Sequence, residues 1–556
     1  MRHSLFTSMK PKLIILARLT FLLILMVRCG APPTEQALKA NSYDQLVTLF
    51  TEWREFQSPE MIDGVPDYSM ASMKKQHADL KIWQQRLNAF DTAGWPIKHQ
   101  IDWYLIWAEM NGLDFDHRVV RPWERDPAFY VWFFLGPSDV PAREGPHVFG
   151  TVDIPFYKQP LAAADASEIA GRLRNAGAVY EQAKKNLTGN GKDLWILGAR
   201  SIRESNDELS AFASSNKETY PELAAAAQEA MNSATAFADW VSEQAKSKTG
   251  VSGIGKADYD WCLKNVHLVP YTWQEEVVLL ERELARAHAG LRYAEFRNRN
   301  IPPLSRAATA EAYAKLQNDA TDEYMKFLED MMTVKPYMDP AMRAVTIPFT
   351  PAEGLRGFFH EVDYRDPMPM RAHFFHWIDK AREIQDPVES PIRRVPLLYN
   401  IFDTRAEGMA TAMEEMIMNA GMLSNRPRAT ELVYIMLAQR CARGLAGLSQ
   451  HGQEMDFDQA TKFASKWVPW GLLPADGGTI QHEEHFYIQQ PAYGECYVTG
   501  KILIDQLIAE YARQREGKFD LKMFMDEYNK VGIIPVSLIH WQMTGDKSIL
   551  NRATGR

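Results

Sequence analysis

Apolar residues recur at three- and four-residue intervals along most of the chain, the period of helices that bury one face. Ser42 to Phe56, Met70 to Phe90 and Pro96 to Leu113 are the first three such stretches, the third with Trp103, Ile106 and Trp107 in its apolar stripe. Pro160 to Asn186, Asp193 to Ser215 and the Ala-rich Tyr220 to Ala245 follow; the small residues of the last let a neighbouring helix approach closely. Thr272, with Glu275 three residues on, makes a capping-box start for a helix to about Phe296. Ala308 to Met331, Thr430 to Leu448, a helix capped by Asp456 and one from about Ala492 continue the pattern, and two short helices broken at Gly532 and Pro535 end it.

Two stretches lack the period. Arg121 to Gly150 is aromatic and rich in Pro and Gly, which predicts an irregular packed segment. Thr333 to Pro351 is Pro-rich, with a short strand expected at Val345 to Phe349. The expected fold is mostly α: one large helical body with a deep central cleft, and a small β-sheet at most.

The first residues read as an address. Arg2, His3, Lys10 and Lys12 precede the apolar run LIILARLTFLLILMV, interrupted by Arg18 and Thr20. That is an export signal over residues 1–29, too short and too charged for a retained membrane helix. Cys29 sits where a lipoprotein cysteine sits, although Arg28 precedes it in place of a small residue. The expected location is therefore periplasmic, or at a membrane through a lipid anchor. Residues 30–556 form the mature part, with N-terminal helices over 40–250 and a site-bearing part over 251–556.

Composition narrows the partners. The formal charge of −9 argues against a nucleic-acid surface. Four cysteines in 556 residues give no disulfide framework, and neither CxxC nor a zinc-ribbon spacing occurs. GVSGIGK at 250–256 has neither P-loop nor dinucleotide spacing.

The chemistry gathers between His360 and Met422. A helix from about Met370 to Ile384 carries His373 and His376, three apart and so on one face. A second, from Asp403 as N-cap to about Ala420, carries Glu407, Thr411, Glu414 and Glu415 on one side. Pro391 and Pro396 break the chain between them. Imidazoles on one helix and carboxylates on the next suit a metal site between packed helices; they equally suit solvated or ordinarily paired helix faces. No HExxH occurs, and His482 and His485 fall in a segment that reads as the start of a loop.

Several separated blocks resemble the bacterial family known as domain of unknown function 885. They are EGMATAMEEMIMNAGM, ARGLAGLSQHGQEMDFDQA, YIQQPAYGECYVTGK and KFDLKMFMDEYNKVGIIPVSLI, with DYDWCLKNVHLVPYTWQEEV upstream. Residues before about 250 match only in character. The resemblance implies a helical zinc metallopeptidase of the carboxypeptidase or neurolysin type. The family's hallmark is a His-Glu pair, a Pro-Gly-His and a downstream Glu. Glu407 stands at that Glu and His376 at the Pro-Gly-His histidine, but Met370 and Arg371 stand where the His-Glu pair belongs.

One expectation is a peptide hydrolase holding zinc on His373, His376 and Glu407, with Glu414 or Glu361 as the base. Tyr497 and His451, which match family residues, would serve the oxyanion and the substrate; the same two residues also read as a core tyrosine and a capping histidine. Arg393, Arg394 and Arg405 read as ion-pair partners of Glu414 or Glu415, or as a clamp for a substrate carboxylate. The alternative is a non-catalytic periplasmic binding or scaffold protein with a degenerate site.

Overall fold

The computed structural model describes residues 42–350 and 357–555. The export signal and Cys29 lie outside the described residues. Local chemistry starts the helices. Ser42 accepts from the Gln45 amide while the Gln45 side chain accepts from Ser42, starting α1 (Tyr43–Phe56). Next come α2 (Met70–Asn88) and α3 (Ile97–Phe115). A smaller group follows: α4 (Ala163–Arg174), α5 (Ala176–Asn186), α6 (Lys192–Asn216) and α7 (Pro221–Ala245). The helix α8 (Trp273–Arg297) has the Thr272–Glu275 capping box read from sequence, and α9 (Ala310–Met331) succeeds it.

The site-bearing helices are α10 (Met368–His373), α11 (Phe375–Gln385), α12 (Asp403–Asn419) and α13 (Ala429–His451). Behind them come α14 (Phe457–Trp467), α15 (Gly478–Gln489), α16 (Cys496–Gln514), α17 (Leu521–Val531) and α18 (Val536–Thr544). The Asp456 cap on α14 forms as expected.

Two large hydrophobic cores form among the described residues, beside a small cluster of Ala307, Tyr313 and Tyr364. The larger gathers α1 to α3 with α8 to α18; the smaller gathers α4 to α7 with the aromatic segment Trp123 to Val152. Within the smaller core Ala226, Ala227, Ala230, Ala234 and Ala238 of α7 are buried, so the Ala-rich helix does present a small-residue face to its neighbours. The lobes meet where Arg200 of α6 donates to the Gln481 carbonyl on α15 (2.7 Å).

The described residues hold two small sheets: β1 (Met61–Ile62) antiparallel to β2 (Val65–Pro66), and β3 (Phe133–Phe134) parallel to β4 (Val152–Asp153). The second pins both ends of the loop 135–151. No strand forms at Val345 to Phe349. Side chains take its backbone groups instead: Arg371 donates to the Val345 carbonyl (2.9 Å), and the Tyr364 hydroxyl to that of Pro348 (2.7 Å).

Charge pairing inside the body is structural, with partners other than those expected. Arg393 binds Asp102 (2.6 Å), Arg405 binds Asp379 (2.8 Å), and Arg394 donates to the Val388 carbonyl. Glu415 faces away from the histidines, toward Arg286 (2.5 Å) and Lys501 (3.3 Å). Cys262, Cys441 and Cys496 are free and buried.

The tightest crossing is α12 on α16. A Cβ on Gly408 would lie 2.6 Å from the Gly500 Cα, and one on Gly500 would strike the Thr404 carbonyl oxygen. Both obstacles are backbone, so neither can swing aside, and overpacking of this kind costs about 1–3 kcal/mol or more. Gly408→Ala and Gly500→Ala should each lower the melting temperature. Gly171→Ala, on an exposed helical position with nothing near its added methyl, should hold or raise it by helix propensity. Equal melting temperatures for all three variants would contradict the close crossing.

Candidate functional site

The chain bends between α10 and α11. Phe374 takes φ −68° and ψ 12°, which ends the first helix and starts the second. His373 and His376 therefore stand on two helices rather than on one face. The bend nevertheless brings their rings together, with centroids 5.2 Å apart and planes at 89°. Asp403 is the first residue of α12 rather than its cap, and its carboxylate accepts from Gln490 (3.0 Å). One turn on, Glu407 points at the bend. Donor atoms of His373, His376 and Glu407 lie within 4.8 Å of one another. All three side chains are buried; Glu407 and His376 are each 2% exposed.

Glu407 is held from two sides. His376 Nε2 lies 3.1 Å from one carboxylate oxygen, and the Tyr493 hydroxyl donates to the other. The Tyr497 hydroxyl donates to that of Tyr493 (3.3 Å). On His373, Nδ1 lies 3.0 Å from Arg440 and 3.1 Å from Glu414; Nε2 offers a lone pair to a ligand in the tautomer whose Nδ1–H donates to Glu414.

Two further carboxylates arrive on the loop between β3 and β4. Asp139 and Glu144 bring oxygens within 4.8 Å of each other and of Glu407. Ser138 donates to Glu144 (2.7 Å), Lys380 donates to the Ser138 carbonyl, and Arg143 braces the loop on Asp153 (2.7 Å). No sequence pattern points to this pair, because an irregular segment has no period to say which way its acids face.

His373, Glu407, Asp139 and Glu144 line a cavity of about 530 Å³, walled also by Arg443, Tyr487, Tyr497, Phe486 and Met370. Arg443 pairs with Glu483 and lies over the Tyr497 ring at 4.5 Å. Four expected residues are absent from the walls, and His376 is one of them, set behind Glu407. Glu414 lies behind His373, paired to Arg440 (2.6 Å). Glu361 is bound by Arg306 (2.7 Å) and Arg365 (2.6 Å). His451 is buried, with its Nε2–H donating to the Tyr487 carbonyl (2.9 Å). His482 and His485, expected in a loop, sit on α15 and do line the cavity. Met370 faces the cavity where the family's histidine is expected, while Arg371 turns to the Met342 and Val345 carbonyls.

Electrostatics favour a cation here. Burial alone would keep the His376 ring neutral, but the Glu407 charge and hydrogen bond outweigh it and raise His376 to about 9. Burial pushes Glu407 up, yet His376 and the Tyr493 bond hold it below the ordinary carboxylate range. Asp139 is raised by burial and by Glu407, and Glu144 to about 7 by burial and by Asp139. Three carboxylates thus share one imidazolium, with Lys380 at their edge. Burial, then Arg440, holds His373 neutral, the state a ligand imidazole needs; His376 reaches that state only by losing its proton as a cation takes that proton's place against Glu407. Two imidazoles with carboxylate oxygens is a donor set that zinc accepts. The residues fit a divalent metal.

A mostly helical body with a buried histidine–carboxylate cluster at the meeting of two lobes is the class defined so far. The fold is shared with two solved structures. One is "a putative lipoprotein of unknown function from Shewanella oneidensis", at 15% identity and a TM-score of 0.65, covering 90% of this chain and 97% of that one. The other is "the putative lipoprotein from Colwellia psychrerythraea", at 14% and 0.64, covering 91% and 99%. No curated protein matches the chain in sequence. The protein belongs to the family described as bacterial protein of unknown function (DUF885), whose model matches residues 57–352, more than half of the chain. That segment takes in the N-terminal helices, which matched only in character by eye, and includes Asp139 and Glu144. It ends before His373.

His451 gives a test of its structural role. Burial lowers it to about 4, below the unfolded value of roughly 6.5. The unfolded chain then binds more protons between those values, so the histidine's contribution is full above about pH 6.5 and fades as pH falls toward 4. His451→Gln should flatten the loss of stability between pH 7 and 5 by about 1.4 kcal/mol per unit, measured by urea unfolding, while leaving any metal content unchanged. An unaltered pH slope would contradict a buried neutral ring.

Proposed function

We propose that the protein is an exported, metal-dependent hydrolase acting on peptides, with the cation held by His373, His376 and Glu407. The observation that carries this reading is the convergence of one imidazole, His373, and three carboxylates, Glu407, Asp139 and Glu144, on a 530 Å³ cavity, with the second imidazole, His376, paired to Glu407 just behind the wall. When bound, a divalent cation such as zinc supplies Lewis-acid polarisation of a carbonyl and acidifies water. The chain's own residues do the rest. Glu144, raised to about 7 and facing Glu407, takes the proton of the attacking water, the role expected of Glu414. Tyr493 fixes the Glu407 carboxylate, so it positions rather than reacts. Tyr497 and Arg443 present a hydroxyl and a fixed charge to the oxygen on which negative charge develops. The apolar run before Cys29, and the description of both structural neighbours as lipoproteins, support export with a lipid anchor on Cys29.

A second reading has its own observation. Met370 occupies the cavity wall where the family's first histidine is expected, which favours a non-catalytic binding protein with a degenerate site.

Elemental analysis of untagged protein separates the two. The hydrolase reading expects one zinc per chain. Glu407→Gln and His376→Ala should each lower occupancy about ten-fold or more, as loss of a ligand does. His373→Ala should do the same if Nε2 is a ligand. Glu144→Gln should keep the metal and cut hydrolysis of a fluorogenic peptide library about 10²-fold or more. A metal-free wild type, or wild-type occupancy in all three ligand variants, would replace the hydrolase by the binding protein. For export, Cys29→Ser should release the protein from the membrane fraction; a mature N-terminus beyond Cys29 would remove the anchor.

A further inference from the structure

A second cavity, of about 840 Å³, adjoins the first. Phe134, Gly145, Pro146, His147 and Gln489 line both, so the loop that carries Asp139 and Glu144 is also the partition between them. Its walls are largely aromatic, with Tyr68, Phe115, Trp123, Phe129 and Phe149.

The polar groups in it fall into two sets. The arginines are already engaged: Arg54 with Glu109 (2.5 Å), Arg143 with Asp153 (2.7 Å), Arg172 with the Tyr157 hydroxyl (2.9 Å). The wall carboxylates Asp153 and Glu168 are engaged as well, by Arg143 and by Tyr157 (3.1 Å). Four other side chains show no side-chain hydrogen bond among the described residues. The Trp123 indole N–H and His267 Nδ1 are buried and unpartnered, on residues 5% and 3% exposed. The Asn400 amide, on a residue 7% exposed, and the Asp116 carboxylate also line the cavity without a side-chain bond. Buried polar atoms are rarely left so, and two of them in one cavity with a free amide and a half-buried carboxylate mark a ligand's place.

The backbone agrees. Asp116 opens a π-helical turn (Asp116–Val120), a local irregularity common at functional sites. Tyr399 and Asn400 both have positive φ, 56° and 49°. Tyr399 is seated there because Gly112 of α3 leaves its ring room.

With every wall arginine spent, Asp116 is the one formal charge of the cavity without a charged partner among the described residues. A carboxylate among aromatic rings, beside an amide and two further polar groups, recognises an ammonium carried on an apolar body. The geometry points to a subsite for the free amino terminus of a peptide, with the α-ammonium on Asp116, the first peptide group at Asn400 and an aromatic or branched side chain among Tyr68, Trp123 and Phe129. Only the identification of the amine's carrier as a peptide rests on the hydrolase reading; recognition of the ammonium does not. Burial with no compensating partner raises Asp116 to about 7, a cost that a bound cation would relieve.

Calorimetric titration of metal-stripped protein with L-phenylalaninamide, which has the ammonium and the aromatic body but no carboxylate, tests the subsite. It should bind, and N-acetyl-phenylalaninamide should bind about ten-fold or more weakly, as loss of a charged hydrogen bond predicts. Asp116→Asn should remove that preference, and Asn400→Ala should weaken both ligands. The wild-type comparison stands alone if a variant fails to fold. No binding of either compound, equal binding of both, or an undiminished preference in a folded Asp116→Asn would overturn the proposal. Because the protein is metal-stripped, the hydrolase reading can fail while amine preference persists, and the reverse result removes this subsite alone.

Discussion

The crossing of α12 on α16 through Gly408 and Gly500 is the constraint on which the site depends. Backbone meets backbone there, with no side chain to absorb an error. The residue before Gly408 is Glu407, and Tyr493 and Tyr497 lie at the start of α16. Closing that crossing is what lets the Tyr493 hydroxyl reach the Glu407 carboxylate. The Arg405–Asp379 pair then ties α12 to α11, which begins with the His376 turn. Fold and site are set by the same few ångströms.

A site built this way carries unfavourable charge. Glu407 alone would be balanced by His376; Asp139 and Glu144 add two more carboxyl groups in the same buried volume. Burial drives both toward the neutral form, which is how proteins respond to uncompensated charge. A divalent cation would reverse that response. The loop bearing these acids also walls the aromatic cavity containing Asp116, so one segment shapes both spaces.

Much of the body was legible from apolar periodicity, because most helices here bury one face and expose the other. The capping box at Thr272 and the cap at Asp456 were readable from sequence and form as read, Asp456 adding a reciprocal bond with Gln459. His373, His376 and Glu407 were legible as a group through spacing and resemblance, but not their geometry: nothing local announces the break at Phe374 that puts the histidines on separate helices. Asp139 and Glu144 were not legible, since an irregular segment has no register and their partner Glu407 is far along the chain. The arginines showed the complementary failure. Arg393 and Arg405 are near the site in sequence, yet they find Asp102 and Asp379, a choice made by packing. At 482–485 the Gly477–Gly478 pair suggested a loop, and burial of Ile480, Glu484 and Tyr487 makes it a helix.

Anomalous diffraction at the zinc edge, from crystals of untagged protein grown without chelator, tests the central claim most directly. The account predicts one strong peak in contact with His376 Nε2 and the Glu407 carboxylate, at the loop that carries Asp139 and Glu144. Its absence there, with His376 and Glu407 still paired after soaking in zinc, would contradict a metal centre.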